Sequence, residues 1–276
     1  MKVVILCGGR GTRMEKETEY RPKPMVEIGD KPILWHIMCI YSQFGYTDFC
    51  LCLGYKGEVI KKHFLDYAAL NSDFTINTKT SKLRIHKGTL PDWNVTMVDT
   101  GIKAMTGARI KRIEPYIDTD DFMMTYGDAV SDINIDSLVK FHRDNGKIVS
   151  MTGVFPVYKS RFGELSTDSN TVVKFLEKPV NCAALTNGGF FVMKREIFDY
   201  LSDDDSCVFE KGPLENLVRD KQLCLFRHEG FWYCMDTPRD LQFLNRLWSN
   251  HRAPWMDIKC GRNAHKDWKE VLDKAL

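Results

Sequence analysis

The residues best suited to chemistry lie near the start of the chain, in LCGGRGTRM at residues 6–14 and RPKPM at residues 21–25. Glycines placed after an apolar run let backbone N–H groups close around a phosphate chain, because no Cβ blocks the approach. Arg13 and Lys23 add positive charge where phosphates would lie, and the proline on each side of Lys23 restricts its backbone. This combination predicts a protein that handles a nucleotide or a phosphorylated sugar.

The glycine-rich segment matches neither of two common phosphate-binding motifs. The chain contains no GxxxxGKS/T, and a GxGxxG register cannot be drawn through Gly8, Gly9 and Gly11. A turn that binds no ligand is the alternative for the loop taken alone. The two cations close to it in the sequence favour phosphate binding instead.

Two aspartates each follow an apolar run that is predicted to form a strand. Asp128 in TYGD follows residues 122–125, and Asp236 in FWYCMDT follows residues 231–235. An acid at the carboxyl end of a strand in an α/β sheet lies at the crevice where ligands bind. Together the two carboxylates predict a shared Mg²⁺ that also holds phosphate oxygens. The alternatives are a simple turn at Asp128 and a helix N-cap at Asp236, ahead of Pro238.

Two further segments carry groups suited to a sugar phosphate. In EKP, Lys178 can meet a phosphate and Glu177 can meet sugar hydroxyls, with a surface turn as the alternative. In NGG, Asn187 and Gly188 offer an amide and a close backbone approach. In MTGARIKR, Arg109 lies either near the loop expected to face the base or on a solvated helix face.

Strand and helix patterns alternate through the first half of the chain, which predicts a sheet with parallel strands and helices on both faces. Residues 68–93 break this alternation and are predicted to form an inserted hairpin or lid. Because no linker or internal repeat follows, one domain over residues 1–255 and a tail over residues 256–276 are expected. The predicted strands are residues 2–7, 48–53, 94–99, 122–125, 148–156, 172–176, 189–193, 223–227 and 231–235; the predicted helices are residues 32–45, 58–67, 107–116, 136–145, 213–220 and 240–250.

The composition is typical of a globular enzyme, with 276 residues, 43% hydrophobic, 28% charged and a net charge of +2. So small and evenly spread a charge argues against nucleic acid as the main partner. No apolar run approaches the ~20 residues that span a bilayer, and no signal peptide is present, so no membrane partner is expected. Nine scattered cysteines without a CxxC pair predict reduced thiols in a cytoplasmic protein, with Cys50 and Cys52 as core residues on one strand face.

Nine sequence blocks, spread from residue 1 to about residue 255, resemble the sugar-phosphate nucleotidylyltransferases. They are LCGGRGTRM, RPKPMVEIGDKPILWHIM, GYKG, WNVTMVDTG, MTGARIKR, TYGDAVSD, EKP, NGGFFV and FWYCMDT. The opening loop is shared across that family. The blocks VEIGDKPILWHIM, VDTG with MTGARIKR, and TYGDAVSD are similar to the branch of the family that uses CTP.

The resemblance implies an α/β fold of the Rossmann-like, nucleotide-diphospho-sugar transferase type, with a mixed, mostly parallel sheet flanked by helices. It implies transfer of a cytidylyl group from CTP to α-D-glucose 1-phosphate, giving CDP-glucose and pyrophosphate. The sugar phosphate would attack the α-phosphorus in line, with Mg²⁺ as cofactor. The resemblance also implies a homo-oligomer, such as a hexamer, that serves the synthesis of dideoxysugars for bacterial surface polysaccharide.

The family pattern also implies roles for individual residues. Arg13, Lys23 and Asp128 would be catalytic, and Asp128 and Asp236 would hold Mg²⁺. The sugar phosphate would contact Glu177, Lys178, Asn187 and Gly188. The nucleotide would contact Leu6, Cys7, Gly8, Gly9, Arg10, Gly11, Thr12, Arg13, Lys23, Thr100, Gly101, Ala104, Arg109 and Gly127.

Three residues depart from the family pattern. Cys7 stands where alanine is usual, Arg10 where an aliphatic residue is usual, and Ala108 where the CTP branch usually has a second glycine. Cys7 is small enough to keep the backbone path. Arg10 adds a charge at the crest of the loop.

Three other functions stay open at this stage. The same chemistry could join UTP or dTTP to a hexose 1-phosphate. A sensor of sugar nucleotides without catalysis is disfavoured, because a sensor could lose the charged residues that are all present here. An interaction protein would use an exposed tail around Trp255 and Trp268, and such a contact would coexist with catalysis.

Overall fold

A computed structural model describes residues 1–86, 90–155, 164–168, 171–176, 185–256 and 258. These residues form strands that mostly join one sheet. The strands are β1 (Val3–Leu6), β2 (Glu27–Ile28), β3 (Lys31–Pro32), β4 (Asp48–Leu53), β5 (Phe74–Asn77), β6 (Lys82–Ile85), β7 (Asn94–Asp99), β8 (Asp121–Tyr126), β9 (Ala129–Ser131), β10 (Val149–Val154), β11 (Glu164–Asp168), β12 (Thr171–Leu176), β13 (Leu185–Lys194), β14 (Leu223–His228) and β15 (Trp232–Cys234).

The helices alternate with these strands along the chain. They are α1 (Glu15–Thr18), α2 (Ile33–Ser42), α3 (Gly57–Leu65), α4 (Tyr67–Leu70), α5 (Thr106–Arg112), α6 (Ile135–Asn145), α7 (Gly212–Arg219) and α8 (Pro238–Ser249). Short 3₁₀ turns occupy Thr12–Met14, Lys23–Met25, Glu114–Tyr116, Arg195–Tyr200 and Pro254–Met256. Within the described part of the chain, no helix is both long and apolar enough to cross a bilayer.

The main sheet has nine strands in the order β10-β14-β12-β11-β13-β8-β1-β4-β7. Strands β8, β1, β4 and β7 are parallel neighbours, while β13 runs antiparallel to β8. Following the pairings outward from β13, only β12 and β13 run against the direction shared by the other strands of this sheet. The expected α/β fold with a mixed, mostly parallel sheet between helices is confirmed.

Hydrophobic residues cover both faces of the sheet. Because side chains alternate along a strand, Val3 and Ile5 pack into one core cluster and Val4 and Leu6 into another. The first cluster also takes the buried faces of α2, α6 and α8, and the second takes those of α5 and α7. The central strand β1 is therefore buried on both sides, and its carboxyl end opens onto the glycine-rich loop.

Most predicted elements are confirmed, and the differences have local causes. The helix predicted over residues 107–116 ends at Arg112 and becomes a 3₁₀ turn, Glu114–Tyr116, at Pro115. The helix predicted over residues 58–67 is two helices, Gly57–Leu65 and Tyr67–Leu70. A hairpin of β5 and β6 lies within residues 68–93 as expected. Cys50 and Cys52 share one core cluster, also as expected.

The proposal that Trp255 belongs to an exposed tail is wrong. Trp255 is fully buried, and its ring stacks on Phe231 with 5.5 Å between ring centroids. Its indole N–H donates to Nδ1 of the buried His36 at 3.2 Å, and the His36 Nε2 lies 2.9 Å from the Ile28 carbonyl oxygen. Trp268 lies outside the described residues.

These contacts define a neutral form of His36. Because Nδ1 accepts a hydrogen bond from Trp255, the proton of the neutral ring lies on Nε2 and is donated to the carbonyl oxygen of Ile28. Burial lowers the pKa of His36 from 6.5 to about 4. The unfolded chain therefore takes up this proton at a higher pH than the folded chain does.

We expect His36 to make the protein less stable as the pH falls from about 6.5 towards 4, by on the order of 3 kcal/mol. Urea unfolding of the wild type and of His36→Gln, at pH 7 and near pH 4.5, measures this contribution. Glutamine keeps one donor and one acceptor but does not titrate. The wild type should lose more unfolding free energy than the variant over this interval, and equal losses would contradict the assignment.

Candidate active site

A cleft of about 370 Å³ opens at the carboxyl ends of β1 and β8. Ligands bind at this edge of open α/β sheets, because loops and helix starts converge there. The described residues that line the cleft include most of the predicted nucleotide and metal residues, namely Leu6, Cys7, Gly8, Gly9, Gly11, Thr12, Arg13, Lys23, Ala104, Arg109, Gly127, Asp128 and Asp236. The fold thus brings together groups more than two hundred residues apart in the chain.

Lys23 is held in the cleft by a short, proline-flanked turn. Residues Lys23–Met25 form a 3₁₀ turn in which Met25 N–H donates to the Pro22 carbonyl at 2.8 Å. Pro22 is extended and Pro24 is buried, which limits the paths open to this backbone. The ammonium of Lys23 lies 2.8 Å from Asp128 Oδ2 and 2.6 Å from Asp236 Oδ1.

Two three-residue strands place the aspartates side by side. Strand β9 pairs antiparallel with β15, with Ala129 opposite Cys234, and Met235 N–H donates to the Asp128 carbonyl at 2.8 Å. Asp128 immediately precedes β9, and Asp236 lies two residues beyond the end of β15. Their carboxylates therefore point into the same part of the cleft.

The start of α8 fixes the backbone of Asp236. The helix opens with a capping box in which the Thr237 side chain accepts from Asp240 N–H, and the Asp240 carboxylate accepts from Thr237 N–H at 2.7 Å. The same carboxylate also accepts from Asp236 N–H at 3.0 Å. The N-cap is Thr237, so the alternative that Asp236 is the N-cap is wrong. The Asp236 carboxylate instead faces the cations of the cleft.

Opposite charges are closely paired in this cleft. Arg13 Nη1 lies 2.5 Å from Asp236 Oδ2, and the side chains of Lys23 and Asp236 are each only 12% exposed. Burial lowers the pKa of Lys23, but the Asp128 and Asp236 carboxylates outweigh that effect and hold the pKa well above its usual value. The Lys23 side chain therefore stays protonated at any physiological pH.

The acids at this place fit a metal ion. Ligand atoms of Asp128, Cys234 and Asp236 all lie within 4.8 Å of one another. Carboxylate oxygens are the ligands that Mg²⁺ prefers, whereas a thiol is a poor ligand for it. Burial, together with the nearby Asp128 carboxylate, raises the pKa of Cys234 well above its usual value, so the thiol stays protonated. The Lys23 ammonium between the two carboxylates shows that a cation is stabilised there.

Arg109 is hydrogen-bonded to the backbone of the glycine-rich loop. Its guanidinium donates to the carbonyl oxygens of Leu53 and Gly8, both at 3.0 Å, and to Thr100 Oγ1 at 2.8 Å. Arg109 is 4% exposed although it lines the cleft. These bonds join the ends of β1 and β4 to α5, so Arg109 positions the loop, and its contact with a base stays a prediction.

Three predicted nucleotide residues are not among the described residues that line the cleft. Arg10 is exposed, at the crest of the loop. Thr100 is 1% exposed and donates to the Leu53 carbonyl at 2.7 Å, behind the loop. Gly101 has φ +91°, and a Cβ there would lie 2.8 Å from the guanidinium of Arg112, which explains the need for glycine.

The predicted sugar residues are described only in part. Glu177 and Lys178 lie outside the described residues. Asn187 and Gly188 lie inside β13, which begins earlier than the predicted residues 189–193. The Asn187 amide donates to the Tyr126 hydroxyl at 3.5 Å, so this amide borders the wall of the cleft formed by Tyr126.

A model of the nucleotidyl transferase family matches residues 2–258. The chain belongs to this family. Glucose-1-phosphate cytidylyltransferase of Salmonella typhi is 46% identical over 256 residues, which cover 92% of this chain and 98% of that protein. The probable glucose-1-phosphate cytidylyltransferase of Bacillus subtilis is 41% identical over 255 residues, 92% of this chain and 99% of that protein.

Solved structures share the fold of this nucleotidyl transferase. HddC from Yersinia pseudotuberculosis superposes with a TM-score of 0.72 over 90% of this chain and 99% of that one, at 23% identity. The structure of UDP-glucose pyrophosphorylase complexed with UDP-glucose gives a TM-score of 0.70 at 15% identity, over 91% of this chain and 98% of that one. Members of the family bind a nucleoside triphosphate and a sugar phosphate and generally use a divalent metal.

Several site residues of this nucleotidyl transferase could not be predicted from the sequence. Tyr126 donates its hydroxyl to Glu210 Oε1 at 2.5 Å, and Thr106 donates to Glu210 Oε2 at 2.5 Å. Tyr126 and Thr106 both line the cleft, and the Glu210 carboxylate joins them by accepting from both hydroxyls. Tyr126 and Cys234 belong to apolar strands, so the sequence pattern predicts them as core residues rather than as site residues. The sequence around Glu210 contains no motif that predicts its hydrogen bonds with Tyr126 and Thr106.

Cys7 and Ala108, the two small residues that depart from the family pattern, are both buried. Cys7 is 1% exposed, and its N–H continues the strand pairing by donating to the Cys52 carbonyl at 2.9 Å. Burial raises the pKa of its thiol, so Cys7 behaves as a small apolar residue. Ala108 is fully buried at the start of α5.

We expect Gly8→Ala to destabilise the protein by about 1–3 kcal/mol, because a Cβ at Gly8 would lie 2.0 Å from Arg109 Nη1. The guanidinium cannot move aside without losing hydrogen bonds to buried acceptors. Gly9→Ala is the matched control, since nothing lies within 4 Å of a Cβ there. Urea unfolding measures both variants. Equal unfolding free energies for the two would contradict this account of Arg109.

Proposed function

We propose that this nucleotidyl transferase transfers the cytidylyl group of CTP to α-D-glucose 1-phosphate, giving CDP-glucose and pyrophosphate. The observation that carries the proposal is the cleft in which Lys23, Arg13, Asp128 and Asp236 meet beside the glycine-rich loop. The substrate pair is supported by the names of the relatives at 41% and 46% identity, which align over nearly their whole length.

Repulsion between two polyanions is the main barrier to this reaction. The phosphate of the sugar must approach a triphosphate, so positioning and charge neutralisation supply most of the rate. In our proposal the backbone of residues 8–13 cradles the triphosphate, and Arg13 and Lys23 neutralise it. The sugar phosphate oxygen then attacks the α-phosphorus in line and pyrophosphate leaves, so no covalent enzyme intermediate is needed.

Asp128 and Asp236 would hold Mg²⁺, which when bound supplies positive charge between the α-phosphate and the sugar phosphate. Two carboxylates within 4.8 Å of one another suit a hard divalent cation. Asp128 also borders Gly127, whose N–H donates to the Leu6 carbonyl at 3.1 Å. A Cβ at Gly127 would lie 2.8 Å from that oxygen, so glycine lets the acid approach the end of β1.

The sugar would bind on the β13 side of the cleft. Asn187 Oδ1 accepts from Gly189 N–H at 2.8 Å, which leaves the amide nitrogen directed to the Tyr126 hydroxyl. Gly188 is buried, and a Cβ there would lie 2.8 Å from Val154. Glu177 and Lys178 would complete the sugar-phosphate site.

The chain also offers a surface for contact with a second copy, and we propose a cytoplasmic homo-oligomer, such as a hexamer. In the hairpin of β5 and β6, Phe74 pairs with Ile85 and Ile76 with Leu83, so these apolar side chains share one face. Phe74, Ile76 and Leu83 are 45–50% exposed. A two-stranded hairpin is marginal alone, so contact between copies would stabilise it.

Pyrophosphate release from glucose 1-phosphate and CTP with Mg²⁺, compared with UTP and dTTP, tests the proposed reaction. We expect CTP to react about tenfold to a hundredfold faster, because an unpaired buried polar group on a wrong base costs about 1–3 kcal/mol. No release with CTP, or equal rates with all three nucleotides, would contradict the substrate assignment.

Two aspartate variants show whether the pyrophosphate released in this assay comes from the protein itself or from a contaminating enzyme. Asp236→Asn should lose about 10²-fold in rate or more, as when one preorganised group is removed from an active site. Asp144→Asn removes an equal charge from an exposed pair with Lys140 on α6 and should keep the wild-type rate.

A further inference from the structure

The Lys23 ammonium occupies the position that a metal ion shared by the two aspartates would need. Its Nζ atom lies 2.8 Å from Asp128 Oδ2 and 2.6 Å from Asp236 Oδ1. The other oxygen of Asp236 is taken by Arg13 Nη1 at 2.5 Å. Both carboxylates are thus already paired with cations of the chain itself.

This pairing balances the charges of the two carboxylates without a metal. Two carboxylates face one ammonium and one guanidinium, and Lys23 and Asp236 are nearly buried. Mg²⁺ binds oxygen at about 2.0–2.1 Å. A metal ion bound to the same two oxygens would meet the ammonium at close range, and two like charges in a partly buried site repel strongly. Metal and ammonium therefore compete for one place.

The lysine side chain can leave this place while its backbone stays fixed. The turn at residues Lys23–Met25 holds the Cα, but the four-carbon stem is flexible. The stem runs beside the glycine-rich loop, since a Cβ built on Gly11 would lie 3.0 Å from Lys23 Cβ and 3.5 Å from its Cδ. A phosphate chain cradled by that loop would lie within reach of the ammonium.

We propose that Lys23 masks the metal site in the free protein and that a bound triphosphate unmasks it by drawing the ammonium onto its phosphates. The identity of the two ligands rests on the proposed function. Nucleotide binding takes the Lys23 ammonium away from Asp128 and Asp236, and the metal then takes its place between these carboxylates. Metal and nucleotide consequently favour each other's binding, and by thermodynamic linkage the effect is reciprocal.

The decisive measurement is the affinity for Mn²⁺ in the absence of nucleotide, followed by the electron paramagnetic resonance of free Mn²⁺. Wild-type protein should bind Mn²⁺ weakly, and Lys23→Met should bind it about tenfold more tightly or better, within the usual range of coupling between ligands. Lys140→Met is the matched control, because it removes an exposed positive charge on α6 and should leave the affinity unchanged.

Two further variants locate the effect. Lys23→Gln, which removes the charge but keeps a polar chain of similar length, should act as Lys23→Met does and replaces it if that variant fails to fold. Adding Asp236→Asn to Lys23→Met should abolish the gained affinity, because the Mn²⁺ then loses one of its carboxylates.

Unchanged Mn²⁺ affinity in folded Lys23→Met and Lys23→Gln would overturn the proposal. So would a gain in affinity that survives Asp236→Asn. Because the measurement uses metal alone, it does not depend on CTP being the substrate: a protein that turned out to use UTP would still show the masked site. Failure of the nucleotide assay and failure of the masking proposal are therefore separable.

Discussion

Neutralisation of like charges is the constraint on which the rest of the site depends. A triphosphate and a sugar phosphate repel one another, and the cleft offers two cations, Arg13 and Lys23, whose backbones are held in short turns. Lys23 lies on a proline-flanked turn and Arg13 on a 3₁₀ turn directly after the glycine-rich loop. Each cation is already paired with an acid of the chain, so the partly buried charges are stabilised before any ligand arrives.

Three parts of the fold hold the charged groups of the cleft in place. Strand β1 is buried on both faces, and its pairing with β4 and β8 fixes the edge from which the loop starts. Arg109 then ties the loop to β4 and α5 by three hydrogen bonds. The small ladder of β9 and β15 adds the two acids from the opposite side. The main sheet, the hydrogen bonds of Arg109 and the β9–β15 ladder therefore together hold the groups of the cleft in place.

Much of the site could be predicted from the sequence because its groups follow long apolar runs. The glycine-rich loop follows β1, and Asp128 follows β8. Each therefore lies at the end of a strand that the sequence predicts, where ligands bind in α/β sheets. The side-by-side placement of Asp128 and Asp236 could not be predicted in the same way. It depends on β9, whose three residues are too short for a periodic pattern, and on a partner about a hundred residues away.

The burial of polar side chains could not be predicted from the sequence either. The residue types at Arg109 and Trp255 are compatible with an exposed surface, but both side chains are buried because acceptors from distant segments satisfy them. Hydrogen bonds of this kind join residues far apart in the chain. They follow from the tertiary fold and leave no local signature.

The most direct test of the account is a crystal structure with Mn²⁺ and a non-hydrolysable CTP analogue, using the anomalous signal of the metal. We predict the triphosphate over residues 8–13, an anomalous peak between the carboxylates of Asp128 and Asp236, and the Lys23 ammonium on a phosphate oxygen. A triphosphate bound away from this loop, or a metal bound without either aspartate, would contradict it.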